Sequence, residues 1–275
     1  EWETTVPTTF LGTDLKVLEK LPKDVEAALK GAERPALILG GAGLGKGALG
    51  ACLALCEKFK LVREGWNGFN VLHMAASRMG GLMLGYAQKG GIADLVKAKP
   101  KMLISLGADE VDYTRFANSM IVYIGHHGDK GAHRADIILP AAAYTEKDAT
   151  WVNTEGRVQY GRRATFPKGD AKEDWTILRA LSAVIGKTLP YDSLEALRAK
   201  MIADHPTFGH VDYAPGAAGG ALDLGSLGAD GALSSEPLRS PISDFYLTNP
   251  IARASKTMAE CSRQRAQIGA KVAAE

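Results

Sequence analysis

The sequence is poor in cysteine, in long apolar runs and in any excess of one charge, and each shortage narrows what the chain can do. Three cysteines occur in 275 residues, Cys52, Cys56 and Cys261. They are too few and too scattered for a disulfide framework, which favours a reducing compartment. An ordinary iron-sulfur cluster takes about four thiolates, so this chain is not expected to hold one by itself. Cys52 and Cys56 share a helix face at i, i+4, where free cysteine usually packs as a small hydrophobe. No window approaches the roughly 18 consecutive apolar residues of a membrane-spanning helix, and the start, Glu1-Trp-Glu-Thr-Thr5, lacks the basic-then-apolar layout of a leader. Direct membrane insertion is therefore not expected, and a chain that opens on Glu reads as a fragment or a processed piece. The 33 basic and 31 acidic residues leave a net charge of +2. They alternate locally, which gives no electrostatic case for nucleic acid as a partner.

What is present is an ordinary globular composition, 46% hydrophobic and 23% charged, enough for one large domain or two smaller ones. Four short apolar runs stop at glycine or proline: Ala36 to Leu39, Met102 to Leu106, Met120 to Ile124 and Ile137 to Leu139. Each predicts a strand buried on both faces. Helical spacing occurs over Leu44 to Lys58, Val71 to Tyr86 and Ile92 to Lys97, with Phe59 to Val62 as a further candidate strand. This alternation predicts an α/β fold with a doubly wound, mostly parallel sheet. In such sheets ligands sit beyond the carboxyl ends of the strands, here Gly40 to Gly43, Gly107 to Glu110, Gly125 to Asp129 and the polar stretch from Ala135 to Arg157.

Beyond Pro140 the pattern changes to a small hairpin, Thr150 to Asn153 and Arg157 to Tyr160. Thr154 and Glu155 suit a type I turn, and Gly156 suits the left-handed position after it. Helices are predicted over Asp174 to Ile185, with an apolar face at Ile177, Leu178, Leu181 and Val184, and over Leu194 to Ile202. The expected division is a connecting segment over 1–33, the α/β domain over 34–203, a Gly/Ala-rich linker over 204–240 and a docking tail over 241–275. In that tail Ile242 to Asn249 reads as extended, since Pro250 restricts the residue before it, and Ile251 to Val272 as a helix. Asp244, Phe245 and Tyr246 are its interface candidates, because aromatics anchor docking surfaces; packing of the tail on its own sheet is the alternative.

Three constellations invite a chemical reading. Gly40-Gly-Ala-Gly-Leu-Gly-Lys46 has the Gly-x4-Gly-Lys spacing of a phosphate loop, but Gly47 stands where Ser or Thr would hold magnesium. A nucleotide module using Lys46 is thus one alternative, and a tight strand-to-helix turn the other. His126 and His127, near Asp129 and His133, are adjacent residues leaving a strand and are expected to point to opposite sides, which disfavours shared metal ligation. Glu146, Asp148 and Glu155 could form an acid/base pair, with Lys147, Arg157, Arg162 and Arg163 to neutralise them.

Several motifs in order carry a resemblance: Gly125-His-His-Gly-Asp129, Ala135-Asp-Ile-Ile-Leu-Pro140, Ala143-Tyr-Thr-Glu-Lys147, Val152-Asn-Thr-Glu-Gly-Arg157, Glu173-Asp-Trp175, Thr188-Leu-Pro-Tyr-Asp192, Asp244-Phe-Tyr246 and Arg253-Ala-Ser255. Together, from about Arg34 to Ser262, they resemble the C-terminal part of the large iron-sulfur subunits of respiratory complex I, the NADH-quinone oxidoreductase. More distantly they resemble the molybdopterin oxidoreductases. The resemblance implies a structural, non-catalytic piece of a proton-translocating NADH:quinone oxidoreductase. It implies 2Fe-2S and 4Fe-4S clusters in an N-terminal part absent from these residues, FMN in a partner subunit, and other peripheral-arm subunits as partners. It also implies a peripheral location on the cytoplasmic face of a bacterial inner membrane or on the matrix side of a mitochondrial one. His127, Asn153, Glu155 and Arg157 would line a vestigial crevice. The alternative is an active molybdopterin oxidoreductase fragment that holds a pterin nucleotide there.

Overall fold

The computed structural model describes residues 5–40, 47–76, 78–88, 90–214, 224–227, 231–238 and 240–272, the last four without their side chains. They fall into two compact units. One is built on 1–79 with 154–156 and 214–241, the other on 80–153, 157–213 and 242–275.

In the first unit helix α1 (Lys23–Gly31) precedes strand β1 (Leu37–Gly40), and helix α2 (Ala48–Lys58) follows it. The expected helix from Leu44 thus begins, among the described residues, at Ala48. One face of α2 buries Cys52, Leu53, Leu55 and Cys56 against Leu39, Phe59, Leu61 and Phe69. Of residues 59–62, predicted as a strand by their apolarity, only Val62 enters one. Phe59 ends α2, Lys60 takes a left-handed φ of 51°, and the Leu61 amide returns to the Cys56 carbonyl at 2.9 Å. Phe59 and Leu61 are apolar because the helix terminus folds them into the core. A two-residue hairpin follows, β2 (Val62–Arg63) against β3 (Trp66–Asn67), turned by Gly65 at φ 75°. Next, β4 (Phe69–Leu72) pairs in parallel with β1, Leu37 opposite Phe69 and Gly40 opposite Leu72. The helix expected from Val71 is therefore wrong at its start: Val71 and Leu72 belong to this ladder, and α3 is confined to Arg78–Met83.

The second unit holds helix α4 (Gly91–Lys97), strands β5 (Met102–Leu106) and β6 (Met120–Gly125), helix α5 (Lys130–Arg134) and strand β7 (Ile137–Pro140). The strands lie side by side in the order β5-β6-β7, all parallel. The α/β, mostly parallel architecture is as the sequence predicts. Side chains alternate between faces. Leu103 and Ile121 pack under Tyr113, Phe116, Leu95 and Val96, whereas Met102, Ile104 and Leu106 on the other face are 39–46% exposed. The expectation of burial on both faces holds along β6 from Ile121 on and fails for β5, for β1, where Ile38 is 64% exposed, and for β7, where Ile137 and Ile138 are 44% and 52% exposed.

The hairpin lies where the turn residues predict it: β8 (Ala149–Val152) runs antiparallel to β9 (Val158–Gly161), and Gly156 sits at φ 83°. Helix α6 (Asp174–Val184) starts as expected, but Val184 is 83% exposed. Beyond Leu181 the chain turns at Gly186 (φ 73°) and returns over Ser182, whose Oγ accepts from the Leu189 amide at 3.0 Å, so the apolar stripe ends one turn early. Helix α7 (Leu194–Asp204) is capped by the Ser193 hydroxyl. The tail forms two helices rather than one, α8 (Pro250–Ala254) and α9 (Lys256–Val272), because Ser255 is extended at ψ 120°. Asn249 is extended as Pro250 requires, and its side chain caps α8 through the Ala252 amide at 2.9 Å.

Candidate functional site

The carboxyl ends of β5 and β6 place a chain of buried polar groups where an open parallel sheet would present its ligand crevice. Asp109, three residues past β5, is 1% exposed. Its carboxylate accepts from the Tyr123 hydroxyl at 2.8 Å and from the Gly131 amide at 2.9 Å, so α5 begins on its charge. Nearby, the Tyr113 hydroxyl pairs with Ser105 Oγ at 2.5 Å and donates to the Ala108 carbonyl. Burial, and then the hydrogen bond and charge of Asp109, push the Tyr123 phenol far above its ordinary range. Tyr113 is raised too, again chiefly by burial. Two glycines are forced here, since a Cβ on either Gly125 or Gly131 would run into the Tyr123 ring. These groups satisfy one another, as buried polar groups must.

Above them the tail reaches back. Arg253, in α8, donates from Nε to Asp129 Oδ2 at 2.6 Å and from Nη2 to Glu110 Oε1 at 2.9 Å, while Nη1 reaches the Leu247 carbonyl at 3.2 Å. Its side chain is 22% exposed, Asp129's 13% and Glu110's 67%. One planar guanidinium thus spans the two strand-end loops, the geometry for which Arg is suited. Asp129 and Glu110 lie in segments that the strand pattern marks, but Arg253 is more than a hundred residues away and no local signal marks it as their partner.

The predicted crevice residues are held by different contacts. His127 is half-buried, and its Nδ1 lies 2.5 Å from Nδ1 of His126, the rings edge to face at 4.8 Å. The expectation that these two point apart is corrected, because the strand ends at Gly125 and both leave from a bend. Partial burial, then the neighbouring His127 and Lys147, depress the pKa of His126. Asn153 accepts the Arg157 amide on its side chain at 3.0 Å, closing the hairpin, and Arg157 donates to the Asp212 carbonyl at 2.6 Å. Glu155 is exposed at the turn. Glu146 accepts the Ala143 amide at 3.0 Å, Asp148 the Arg163 amide at 3.0 Å, and Lys147 pairs with Asp174. The three carboxylates of the supposed acid/base set are each engaged with backbone or exposed on a turn. In the tail, Asp244 accepts from the Tyr246 amide at 2.9 Å and from Ser262 Oγ at 2.5 Å, which together lower its pKa, Ser262 first. Phe245 stacks edge to face on Tyr246 and is 67% exposed.

Lys46 and the glycines before it from Gly41 lie outside the described residues. Gly47 is described, at φ 81°, and a Cβ there would meet the backbone of Ala232 and Leu233 at 2.5 Å. Close chain approach at the start of α2 accounts for glycine where a phosphate loop has Ser or Thr. Cys52 and Cys56 are 2% and 0% exposed, and burial pushes the Cys56 thiol up to about 11. Both side chains pack in the core of the first unit, as small apolar groups do. Among the described residues no three His, Cys, Asp or Glu side chains gather as a metal group, and no helix is long and apolar enough to cross a membrane.

The chain is similar to known proteins along most of its length. Residues 7–184 match the family model of molybdopterin oxidoreductases, and residues 214–261 that of the C-terminal region of the G subunit of NADH-ubiquinone oxidoreductase. The chain is 40% identical over 272 residues to the mitochondrial NADH-ubiquinone oxidoreductase 78 kDa subunit of Neurospora crassa, covering 95% of this chain and 36% of that one. It is 40% identical over 273 residues to the corresponding subunit of Candida albicans, covering 95% and 37%. Against the G subunit of the NADH-quinone oxidoreductase of Rickettsia bellii the identity is 35% over 271 residues, covering 95% and 38%. The chain thus spans little more than a third of the length of these relatives.

Proposed function

Because this chain belongs to the molybdopterin oxidoreductase family, we propose that it is the structural, non-catalytic C-terminal part of the large iron-sulfur subunit of a respiratory NADH:quinone oxidoreductase of the complex I kind. Relatives named as subunits of that oxidoreductase match 95% of the chain, and a second family model specific to the C-terminal region matches its tail side. In this reading electrons pass from NADH through FMN in a partner subunit and through 2Fe-2S and 4Fe-4S clusters held outside these residues. The chain itself supports that arm on the cytoplasmic or matrix side. It does so among other peripheral-arm subunits, with exposed Phe245 as a contact point.

The observation that carries the non-catalytic reading is the Arg253 bridge. A family crevice that holds a pterin needs its strand-end loops open to the ligand. Here the loops after β5 and β6 are joined by the chain's own guanidinium through Glu110 and Asp129, and the space beneath is taken by Tyr123 and Asp109. The donor set fits an internal latch rather than a resident molybdopterin. The Asn153 side chain accepts the Arg157 amide across the hairpin turn, and the Arg157 guanidinium donates to the Asp212 carbonyl, which supports a structural use of both.

Metal and flavin analysis of the purified native assembly tests the reading. Iron and flavin without molybdenum or tungsten are expected. Stoichiometric molybdenum or tungsten would restore the active pterin enzyme as the better account.

A further inference from the structure

In a parallel sheet each step to the next strand makes a right-handed crossover. Strands β5, β6 and β7 lie side by side in chain order, so both steps run in the same direction. Both connections, the turn at Tyr113–Phe116 and helix α5, therefore belong to one face. A doubly wound sheet covers its second face by reversing the direction of stepping, and these three strands contain no reversal. Their second face receives no helix from its own crossovers.

That face is apolar. Met102, Ile104 and Leu106 stand in a row along β5 at 45%, 39% and 46% exposure, with Met120 opposite Met102 at 42% and Ile137 on β7 at 44%. Val122 and Ile124, on the same face of β6, are buried, so the bare area follows β5 and the amino end of the sheet. Parallel sheets are almost always covered on both faces, and a contiguous run of large aliphatic side chains marks a contact.

We infer that this row seats one amphipathic helix with an aliphatic stripe, supplied by the part of a longer polypeptide that the chain's relatives carry outside the matched region. The inference rests on the proposed reading of the chain as the C-terminal part of such a polypeptide. A helix is the element that covers a parallel sheet. The five residues of β5 span about 17 Å at roughly 3.3 Å each, which a helix of about eleven residues matches. The relatives leave ample chain for it, since only 36–38% of their length aligns here. Five half-exposed side chains also fall short of the roughly 800 Å² per partner that a stable interface between subunits buries. Contact within one polypeptide suits that size. The row bears no charge, so the facing stripe is aliphatic rather than acidic or basic.

The test places a diazirine-bearing aliphatic residue at Ile104 in the purified native assembly and maps the photo-adduct by peptide sequencing. An adduct on the apolar stripe of a helix in the same polypeptide, outside the region matched here, is the expected result. An adduct on a second copy, on another subunit or on no peptide overturns the inference. Metal analysis of the same preparation separates the two failures: iron and flavin without molybdenum, together with an adduct elsewhere, sinks the helix and leaves the functional reading standing. As a second measurement, Ile104→Asp is expected to lower recovery of the intact assembly about tenfold relative to Val184→Asp, a loss of one well-buried side chain's worth of contact. Equal recovery of the two variants overturns the inference as well.

Discussion

Along β5 the two faces of the sheet carry similarly apolar residues and meet opposite fates, whereas Val122 and Ile124 of the central strand are buried on the second face too. On one, Leu103 and Ile121 lie beneath Tyr113 and Phe116, and Ile121 is 0% exposed. On the other, Ile104 is 39% exposed and its neighbours on β5 more so. Composition does not separate them; the direction of the crossovers does. The covered face is also the one that ends in buried polar groups, since Ser105 and Tyr123 continue the row of Leu103 and Ile121 into the pocket of Asp109. Closure of that face fixes both the hydrophobic core and the strand-end polar network, whereas the bare face stays available for something else.

Truncation on each face is the most direct way to break the comparison. Ile121→Ala removes a fully buried side chain and is expected to cost about 2–5 kcal/mol of stability, as large-to-small core changes do. Ile104→Ala in the same chain is expected to stay within about 0.5–1 kcal/mol, because the side chain is already partly in water. Urea unfolding of the two variants side by side checks the pair. Similar losses for both would mean that the second face is covered after all.

The polar end of the covered face gives the next effect. Asp109→Ala leaves the Tyr123 hydroxyl and the Gly131 amide buried without their acceptor, and each orphaned group costs about 1–3 kcal/mol. Asp109→Asn keeps an acceptor and should recover part of the loss. If both variants are equally stable and equal to the parent, the network is decoration rather than support. The tail latch is expected to be weaker. Arg253→Ala should cost about 1–2 kcal/mol, because Glu110 is largely exposed and its pairing is screened while Asp129 is not. Hydrogen exchange should then show α8 opening before the sheet does, and uniform exchange across both would contradict a local latch.

Much of the fold was legible because local signals and tertiary pairing agree. The apolar runs ending at Gly107, Gly125 and Pro140 are strands, and the Thr154-Glu155-Gly156 turn closes its hairpin with Gly156 at positive φ. The failures share one cause, that periodicity does not report what lies opposite. Val71 and Leu72 fit a helical spacing until β1 pairs with them. Phe59 and Leu61 look like a strand but are the apolar end of a helix turning into its core. Val184 completes a helical stripe in the sequence, yet the return at Gly186 leaves it in solvent. Of the site, the strand-end segments were readable, and so was the use of Asn153 to Gly156 as turn chemistry. The Arg253 bridge was not, since its partners come from loops that only the parallel sheet brings under the tail.

The smallest expected effect lies at the same strand ends and concerns pH. His126, one residue past β6, has its pKa depressed, first by partial burial and then by His127 and Lys147, with Asp174 and Asp109 opposing. A histidine whose folded pKa lies below its unfolded value, near 6.5, binds fewer protons folded than unfolded. Stability then rises with pH across that window and is lost as pH falls from about 6.5 toward the folded pKa. Carboxylates titrate lower, around 4, so the window between about pH 6.5 and 5 reports chiefly on histidine. His126→Gln, which cannot charge, should flatten the decline of the urea midpoint in that window by a fraction of a kcal/mol, since solvent still reaches the ring. The bare face holds no ionisable group among Met102, Ile104 and Leu106, so Ile104→Ala should leave the slope unchanged. A His126→Gln profile that parallels the parent, or an Ile104→Ala profile that flattens, would mean that the acid sensitivity does not arise where the strands of the covered face end.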